Sequence, residues 1–131
     1  MSEACSCDGA PTEDAICMAD FVMSGRVASV KTKGDRQAYK VRARLFKKPA
    51  NYRSTSLVSG RYAVLHADVS EASCGVSLEK NVQYLLTGYI DGQGQAQIDL
   101  CQVHEPYKSV KRKLRRALEE DLWKKQYCSL Y

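Results

Sequence analysis

The first half of the chain alternates between apolar and polar positions, and a period of two residues is typical of β-strands. The alternation runs through residues 21–30 and again through residues 38–46, where lysine and arginine occupy the outward positions. Residues 31–36, between the two segments, are polar and include a glycine, which favours a turn. The pattern therefore predicts a hairpin of two strands with a basic outer face.

Three further segments show strand patterns separated by polar turns. They cover residues 61–67, 82–90 and 96–101, with a turn at residues 91–94 before the last of them. Pro49 ends the second strand because proline cannot donate a hydrogen bond to a sheet ladder. Five short strands predict a mainly β fold, a five-stranded OB-like β-barrel with flanking helices, because closing the sheet leaves few exposed edges.

Two segments have helical patterns instead. Thr12 precedes two acidic residues and an apolar stretch, so we expect a short helix that carries Cys17 and has Thr12 as its N-cap. Residues 108–125 predict one C-terminal amphipathic helix with Ser109 as its N-cap, packed on the barrel and basic on its outer face. Its apolar positions are Val110, Leu114, Ala117, Leu118 and Leu122.

Length and cysteine content narrow the class of protein. The 131 residues fit one domain, and no apolar run is long enough to cross a membrane. Six cysteines, even in number and widely scattered, favour disulfides formed in an oxidising compartment and hence a secreted protein. The competing interpretation is a structural zinc site, but zinc ligands usually come in closely spaced pairs, and only Cys5 and Cys7 are close.

The residues before the first cysteine require a separate interpretation. Ser2 and Ala4 are small residues at the spacing of a signal-peptidase site that would cut before Cys5, although no apolar segment precedes them. We interpret residues 1–4 as a signal-peptide remnant or a vector extension, and residues 5–131 as the domain. The alternative is that residues 1–4 are a native tail.

Familiar catalytic patterns are absent from the sequence. It contains no glycine-rich phosphate-binding loop, no His-Glu-x-x-His and no Gly-x-Ser-x-Gly. If every cysteine is in a disulfide, no thiol remains to act as a nucleophile. The sequence therefore predicts a protein that is not an enzyme and has no cofactor of its own.

The six cysteines and the residues around them form a framework. Cys5-Ser6-Cys7 is followed by Cys17, then by Cys74-Gly75-Val76-Ser77-Leu78, Tyr84-Leu85-Leu86-Thr87-Gly88, Ile98-Asp99-Leu100-Cys101 and finally Cys128. This framework resembles the tissue inhibitors of metalloproteinases (TIMPs), and the likeness covers the chain from Cys5 to Cys128. It corresponds to the family's N-terminal, netrin-like (NTR) domain, and we expect the single-domain form.

The resemblance implies a disulfide pairing and an activity. The implied pairs are Cys5–Cys74, Cys7–Cys101 and Cys17–Cys128. The implied activity is that of a secreted, extracellular inhibitor of zinc metalloproteinases of the matrix metalloproteinase type. In such inhibitors the α-amino nitrogen and carbonyl oxygen of the N-terminal cysteine chelate the catalytic zinc of the protease, and here Cys5 would do so once residues 1–4 are absent.

The resemblance also implies which residues flank Cys5. Ser6 would enter the specificity pocket beside the zinc. The other implied contacts are Cys7, Asp8, Ser70, Glu71, Ala72 and Ser73. Simpler interpretations are that Ser6 is a small residue between two bridged cysteines and that Glu71 is a solvated loop charge.

A second hypothesis is a basic netrin-like module that binds heparan sulfate or a protein partner without inhibiting a protease. The net charge is +5, and much of the positive charge lies in residues 108–125. The candidate residues for polyanion binding are Lys111, Arg112, Arg115 and Arg116. Under either hypothesis we expect a monomer that does not bind nucleic acid or insert into a membrane.

Overall fold

Five strands of the protein close into a ring. A computed structural model of the chain describes residues 5–7, 9–57 and 62–129. Its strands are β1 (Phe21–Lys33), β2 (Arg36–Lys47), β3 (Tyr62–Asp68), β4 (Gln83–Ile90), β5 (Ala96–Gln97) and β6 (His104–Pro106). The sheet order is β1-β2-β3-β5-β4-β6, and β1 also pairs with β4, which closes the ring. The prediction of a mainly β, OB-like fold is confirmed, although β6 extends the sheet outside the ring.

The hairpin of β1 and β2 is longer than predicted. The two strands pair antiparallel as far as Lys33 and Arg36, so the turn contains only Gly34 and Asp35 instead of residues 31–36. Gly34 has a φ of 62°, a left-handed conformation that glycine adopts without steric cost and that short hairpin turns require. The outward residues of β2, Lys40, Arg42 and Arg44, are exposed as expected.

The apolar residues form two clusters, one inside the ring and one between the sheet and the helices. Strand β1 contributes to both clusters because alternate side chains point to opposite faces. Phe21 and Met23 lie inside the ring, whereas Val22 packs against the helices. The interior cluster also contains Val27, Tyr39, Val41, Leu65, Tyr84, Leu86 and Ile98.

The helices cover the outer face of the sheet. They are α1 (Thr12–Met18), α2 (Arg112–Glu119) and α3 (Trp123–Tyr127). Apolar residues that pack between them and the sheet are Ile16, Val22, Leu85, Tyr107, Val110, Leu114, Ala117, Leu118 and Trp123. Among the described residues, none of the helices is long and apolar enough to span a bilayer.

The prediction of one helix over residues 108–125 is wrong. A 3-10 helix (Tyr107–Ser109) comes first, so Ser109 is not an N-cap, and the chain then breaks between α2 and α3. Asp121 adopts a φ of 58° there, which a continuous helix does not allow. Because of the break, the residues after α2 do not continue the apolar face of that helix. Leu122 is 41% exposed, whereas Trp123 is only 4% exposed and takes the buried position instead.

The other boundaries also differ in detail. Residue Arg61, predicted to begin the third strand, lies outside the described residues. The predicted strand over residues 96–101 is paired only at Ala96 and Gln97, because the Asp99 side chain accepts hydrogen bonds from following backbone N–H groups and forms a turn. Thr12 is the first helical residue rather than the N-cap, since the carbonyl of Pro11 accepts the first hydrogen bond of α1.

Candidate functional site

The segment Cys5–Cys7 is held at both ends by disulfides. Cys5 is bonded to Cys74 and Cys7 to Cys101, with Cα–Cα distances of 5.1 and 5.2 Å. These pairs, together with Cys17–Cys128, are the ones that the resemblance implies. Ser6 lies between the two anchored cysteines and is exposed. A segment near a chain terminus that would otherwise fray is therefore fixed in position.

The loop that carries Cys74 is built by its own hydrogen bonds. A 3-10 helix (Glu71–Ser73) begins after Ser70, whose Oγ accepts a hydrogen bond from the Ala72 N–H at 3.2 Å. The Ser70 carbonyl accepts from Ser73 at 3.1 Å and from Gly75 at 2.8 Å. Residues 70–73 are all exposed. Together with residues 5–7 and Cys74 they form a surface that we call the cysteine edge.

The loop that carries Cys101 is joined to the loop that carries Cys74. The Leu100 N–H donates to the Cys74 carbonyl at 2.8 Å. The Asp99 carboxylate accepts from the Cys101 N–H at 2.9 Å, which fixes the turn before the disulfide. Because both anchoring loops are hydrogen-bonded to each other, the two disulfides hold Cys5–Cys7 on a single support.

The sulfur atoms of the cysteine edge are close together but chemically occupied. Those of Cys5, Cys74 and Cys101 lie within 4.8 Å of one another. All six cysteines are in disulfides, so none of these sulfurs is a thiolate, the form that binds metals. The structural zinc site considered from the sequence is thus excluded for the cysteines. The backbone of Cys5 and the exposed side chains remain as the groups that can bind a partner.

An apolar groove adjoins the cysteine edge, and the sequence did not reveal it. The groove has a volume of about 540 Å³ and runs between Cys7, the end of α1 and strand β4. Three large apolar side chains are exposed there: Met18 at 70%, Tyr89 at 42% and Leu100 at 37%. Burial, followed by the Asp99 carboxylate, raises the pKa of Tyr89, so its hydroxyl stays protonated and can donate. The signal available from the sequence was weak, since single exposed apolar residues are common.

The remaining candidate residues lie elsewhere. Asp8 lies outside the described residues. Lys111 directly precedes α2, and the other three polyanion candidates lie on α2. Arg116 is paired with Glu120 at 2.7 Å, and the guanidinium of Arg115, which is half-buried, lies 6.0 Å from the centre of the Tyr107 ring. Two of the four candidate cations are therefore already in contact with other side chains.

Comparison with known proteins connects this geometry to a family. The sequence profile described as "Tissue inhibitor of metalloproteinase" matches residues 3–130, nearly the whole chain. The chain belongs to the tissue inhibitor of metalloproteinase family. The disulfide pairs and the mainly β, OB-like fold of the structure agree with what the resemblance to the TIMP family implies.

Two relatives show how much of a TIMP-family protein the chain covers. It is 29% identical over 119 residues to "Metalloproteinase inhibitor 3" of Gallus gallus, a match that covers 90% of this chain and 55% of the relative. The protein of the same name from Xenopus laevis is 29% identical over 118 residues, covering 89% of this chain and 54% of the relative. The chain thus spans about half the length of these relatives.

Proposed function

We propose that this chain is a secreted inhibitor of zinc metalloproteinases of the matrix metalloproteinase type. The α-amine and carbonyl oxygen of Cys5 bind the catalytic zinc of the target protease once residues 1–4 are absent. The observation that carries the proposal is the anchoring of Cys5 and Cys7 by separate disulfides to two loops that are hydrogen-bonded to each other. Family membership and the names of both relatives support the class of target.

The chemistry of the Cys5 backbone suits a catalytic zinc. Such a zinc has an open coordination position. An α-amine has a reference pKa of about 8, and it loses its proton readily when it binds a metal. The amine and carbonyl of one residue close a five-membered chelate ring. The Cys5 sulfur takes no part, because it is bonded to Cys74.

The rest of the cysteine edge supplies affinity and selectivity. Ser6 is exposed and enters the pocket beside the zinc, while Asp8 and residues 70–73 contact the rim of the cleft. Because the disulfides fix residues 5–7 beforehand, little conformational entropy is lost when the protease binds. This explains why a short exposed segment can act as an inhibitor although it has no reactive group.

The test compares two forms of the chain against a matrix metalloproteinase. One form begins at Cys5, and the other retains residues 1–4. The extended form has an amide in place of the amine, and an amide nitrogen has no available lone pair for zinc. We expect the form that begins at Cys5 to inhibit at least about 100-fold more strongly. Mass spectrometry must show three disulfides in both forms.

A second preparation separates the lone pair from the bulk of the extension. Acetylation of the Cys5 α-amine in the shorter form removes the lone pair but adds only a small group. We expect this form to be as weak as the extended chain. Equal potency of the extended and the Cys5 forms would contradict zinc binding through the Cys5 amine.

A further inference from the structure

The last part of strand β1 is paired on one side only. Strand β4 pairs with β1 as far as Arg26, and Val27 makes the last backbone hydrogen bonds on that side. Residues 29–33 continue along β2 on the other side. Within the described part of the protein no hydrogen bond reaches their outer side, and all of these residues are exposed. We call residues 29–33 the free edge.

The register with β2 determines which backbone groups of the free edge point outward. The two strands pair directly up to the two-residue turn. The pair that closes such a turn is hydrogen-bonded, and hydrogen-bonded and non-hydrogen-bonded pairs then alternate along the hairpin. The pairs Thr32–Gln37 and Val30–Tyr39 are therefore not hydrogen-bonded to each other. The N–H and C=O groups of Val30 and Thr32 point away from β2, where another strand can pair with them.

The two faces of the free edge carry different side chains. Because side chains alternate along a strand, Lys31 and Lys33 lie on one face, and Val30 and Thr32 lie on the other. Val30 is 45% exposed and lies opposite the buried Tyr39. A strand that pairs with the free edge therefore meets cations on one face and an apolar side chain on the other.

The lysine side chains also indicate what kind of strand fits. The two salt bridges found among the described residues involve neither Lys31 nor Lys33. Lys40, opposite Ser29 on the same face, adds a third exposed cation. A second copy of the free edge would bring lysines against lysines, and like charges on neighbouring strands repel. Acidic side chains would relieve this repulsion instead.

We propose that the free edge binds an extended segment of another protein in which acidic and apolar residues alternate. The segment adds to β1 as an antiparallel strand. Its acidic side chains contact Lys31 and Lys33, and its apolar side chains pack beside Val30. In this mode of recognition the backbone hydrogen bonds supply affinity, and the alternate side chains supply specificity. The surface includes no residue of the cysteine edge, so its binding is measured without a protease.

The first experiment measures binding of a fluorescent peptide to the folded chain by anisotropy. The peptide has about six residues, the usual length of a strand, with glutamate and valine in alternation. Lys31→Gln/Lys33→Gln removes the two lysines of the free edge, and Lys111→Gln/Lys113→Gln removes two other exposed lysines as a control of equal charge. We expect binding to weaken at least about 10-fold in the edge variant and less than about 3-fold in the control. Both variants should keep the wild-type melting temperature.

The second experiment tests the backbone pairing with two N-methylated peptides of equal charge. In the proposed strand the valine N–H groups face β1, and the glutamate N–H groups face away from it. Methylation of the valine nitrogens removes the donors and should weaken binding at least about 10-fold. Methylation of the glutamate nitrogens should change binding less than about 3-fold.

Four results would overturn the proposal. The unmodified peptide could fail to bind. Equal binding of the two methylated peptides would mean attraction between charges without strand pairing. Equal weakening in the two lysine variants would reduce the effect to net charge. A dimer of the chain that sedimentation detects and that the peptide dissociates would make a second copy the occupant of the free edge.

Discussion

Gly75 shows how one residue can determine the shape of a loop. A Cβ at this position would overlap the carbonyl oxygen of Asp68 and would lie 2.6 Å from that of Ser70. Both are backbone atoms, which cannot rotate away as the end of a side chain can. Since the Gly75 N–H also donates to Ser70, the chain around Cys74 is packed against itself without space for a methyl group.

We therefore expect Gly75→Ala to lower the free energy of unfolding by about 1–3 kcal/mol, the usual cost of overpacking. Gly92→Ala is the matched control, because a Cβ there would meet nothing within 4 Å. That variant should lie within about 0.5 kcal/mol of the wild type. Urea denaturation measures both. A similar loss in the two variants would mean that crowding at Gly75 is not the constraint.

The steric constraint at Gly75 cannot be predicted from the sequence. The string from Cys74 to Leu78 helped to indicate the family, but nothing in the string shows that two backbone oxygens exclude a side chain. The disulfide pairs were likewise implied by the resemblance, because six cysteines allow many connectivities and spacing alone does not choose among them.

Among the elements, the turn between β4 and β5 combines backbone hydrogen bonds, Asp91 N–H to the Gln95 carbonyl and Gly94 N–H to the Asp91 carbonyl, with those of one carboxylate. Asp91 Oδ1 accepts from the N–H groups of Gln93 and Gln95 at 2.9 and 3.0 Å, and Oδ2 accepts from the Gln97 side chain at 2.8 Å. These hydrogen bonds, that from Gln95 first, hold the pKa of Asp91 below its usual value of 3.8. Protonation of the Asp91 carboxylate therefore weakens the hydrogen bonds that hold the turn.

This shift predicts a dependence of stability on pH. Because the pKa of Asp91 is lower in the folded state, its contribution is complete above the unfolded value and is lost as pH falls through the folded value. We expect Asp91→Asn to be less stable than the wild type at neutral pH, and the difference to shrink below about pH 4. Urea denaturation of both proteins over this pH range measures the difference in their stability. A difference that stays constant with pH would exclude the carboxylate as its cause.

The elements differ in how well the sequence predicted them. Long alternating segments such as β1 and β2 were predicted because the pattern repeats several times. Strands β5 and β6 are too short to show a period of two residues. The predicted strand over residues 96–101 is therefore longer than β5, and the sequence does not predict β6. The break at Asp121 was missed because the apolar spacing continues through Leu122, and only the left-handed backbone shows that Trp123 replaces it in the core. The apolar groove beside the cysteine edge combines residues far apart in the sequence, which no local pattern could reveal.

For the whole molecule, the disulfides and the ring of strands are separate sources of stability. None of the three bridges joins two strands, and the apolar cluster inside the ring contains no cysteine. The bridges instead connect the first part of the chain to loops and to the residue after α3. The ring should therefore form a folded core even when one bridge is missing.

Two bridges close loops of similar size, which allows a matched comparison. Cys7–Cys101 spans 94 residues and Cys17–Cys128 spans 111, so replacing either pair with serine should cost about 2–5 kcal/mol of stability. Only the first pair anchors the cysteine edge. We expect Cys7→Ser/Cys101→Ser to lose at least about 10-fold in inhibition, because residues 5–7 regain freedom that binding must remove.

The Cys17→Ser/Cys128→Ser variant should keep most of its inhibition at a temperature where it remains folded. Inhibition constants and denaturation curves for both variants provide the measurement. Equal loss of inhibition would show that the disulfides act through general stability rather than through the position of the cysteine edge.

The disulfide pairing also has a consequence for the order of events during synthesis. Cys5, Cys7 and Cys17 precede their partners by 69, 94 and 111 residues. Until Cys74 is translated, these cysteines can form disulfides within the chain only with one another, and any such bond must later be exchanged. A cell that makes this protein must therefore keep thiol exchange active until Cys128 has been added. Residues 5–7 of the cysteine edge are translated early, but their first correct bond must wait for the loop that follows β3.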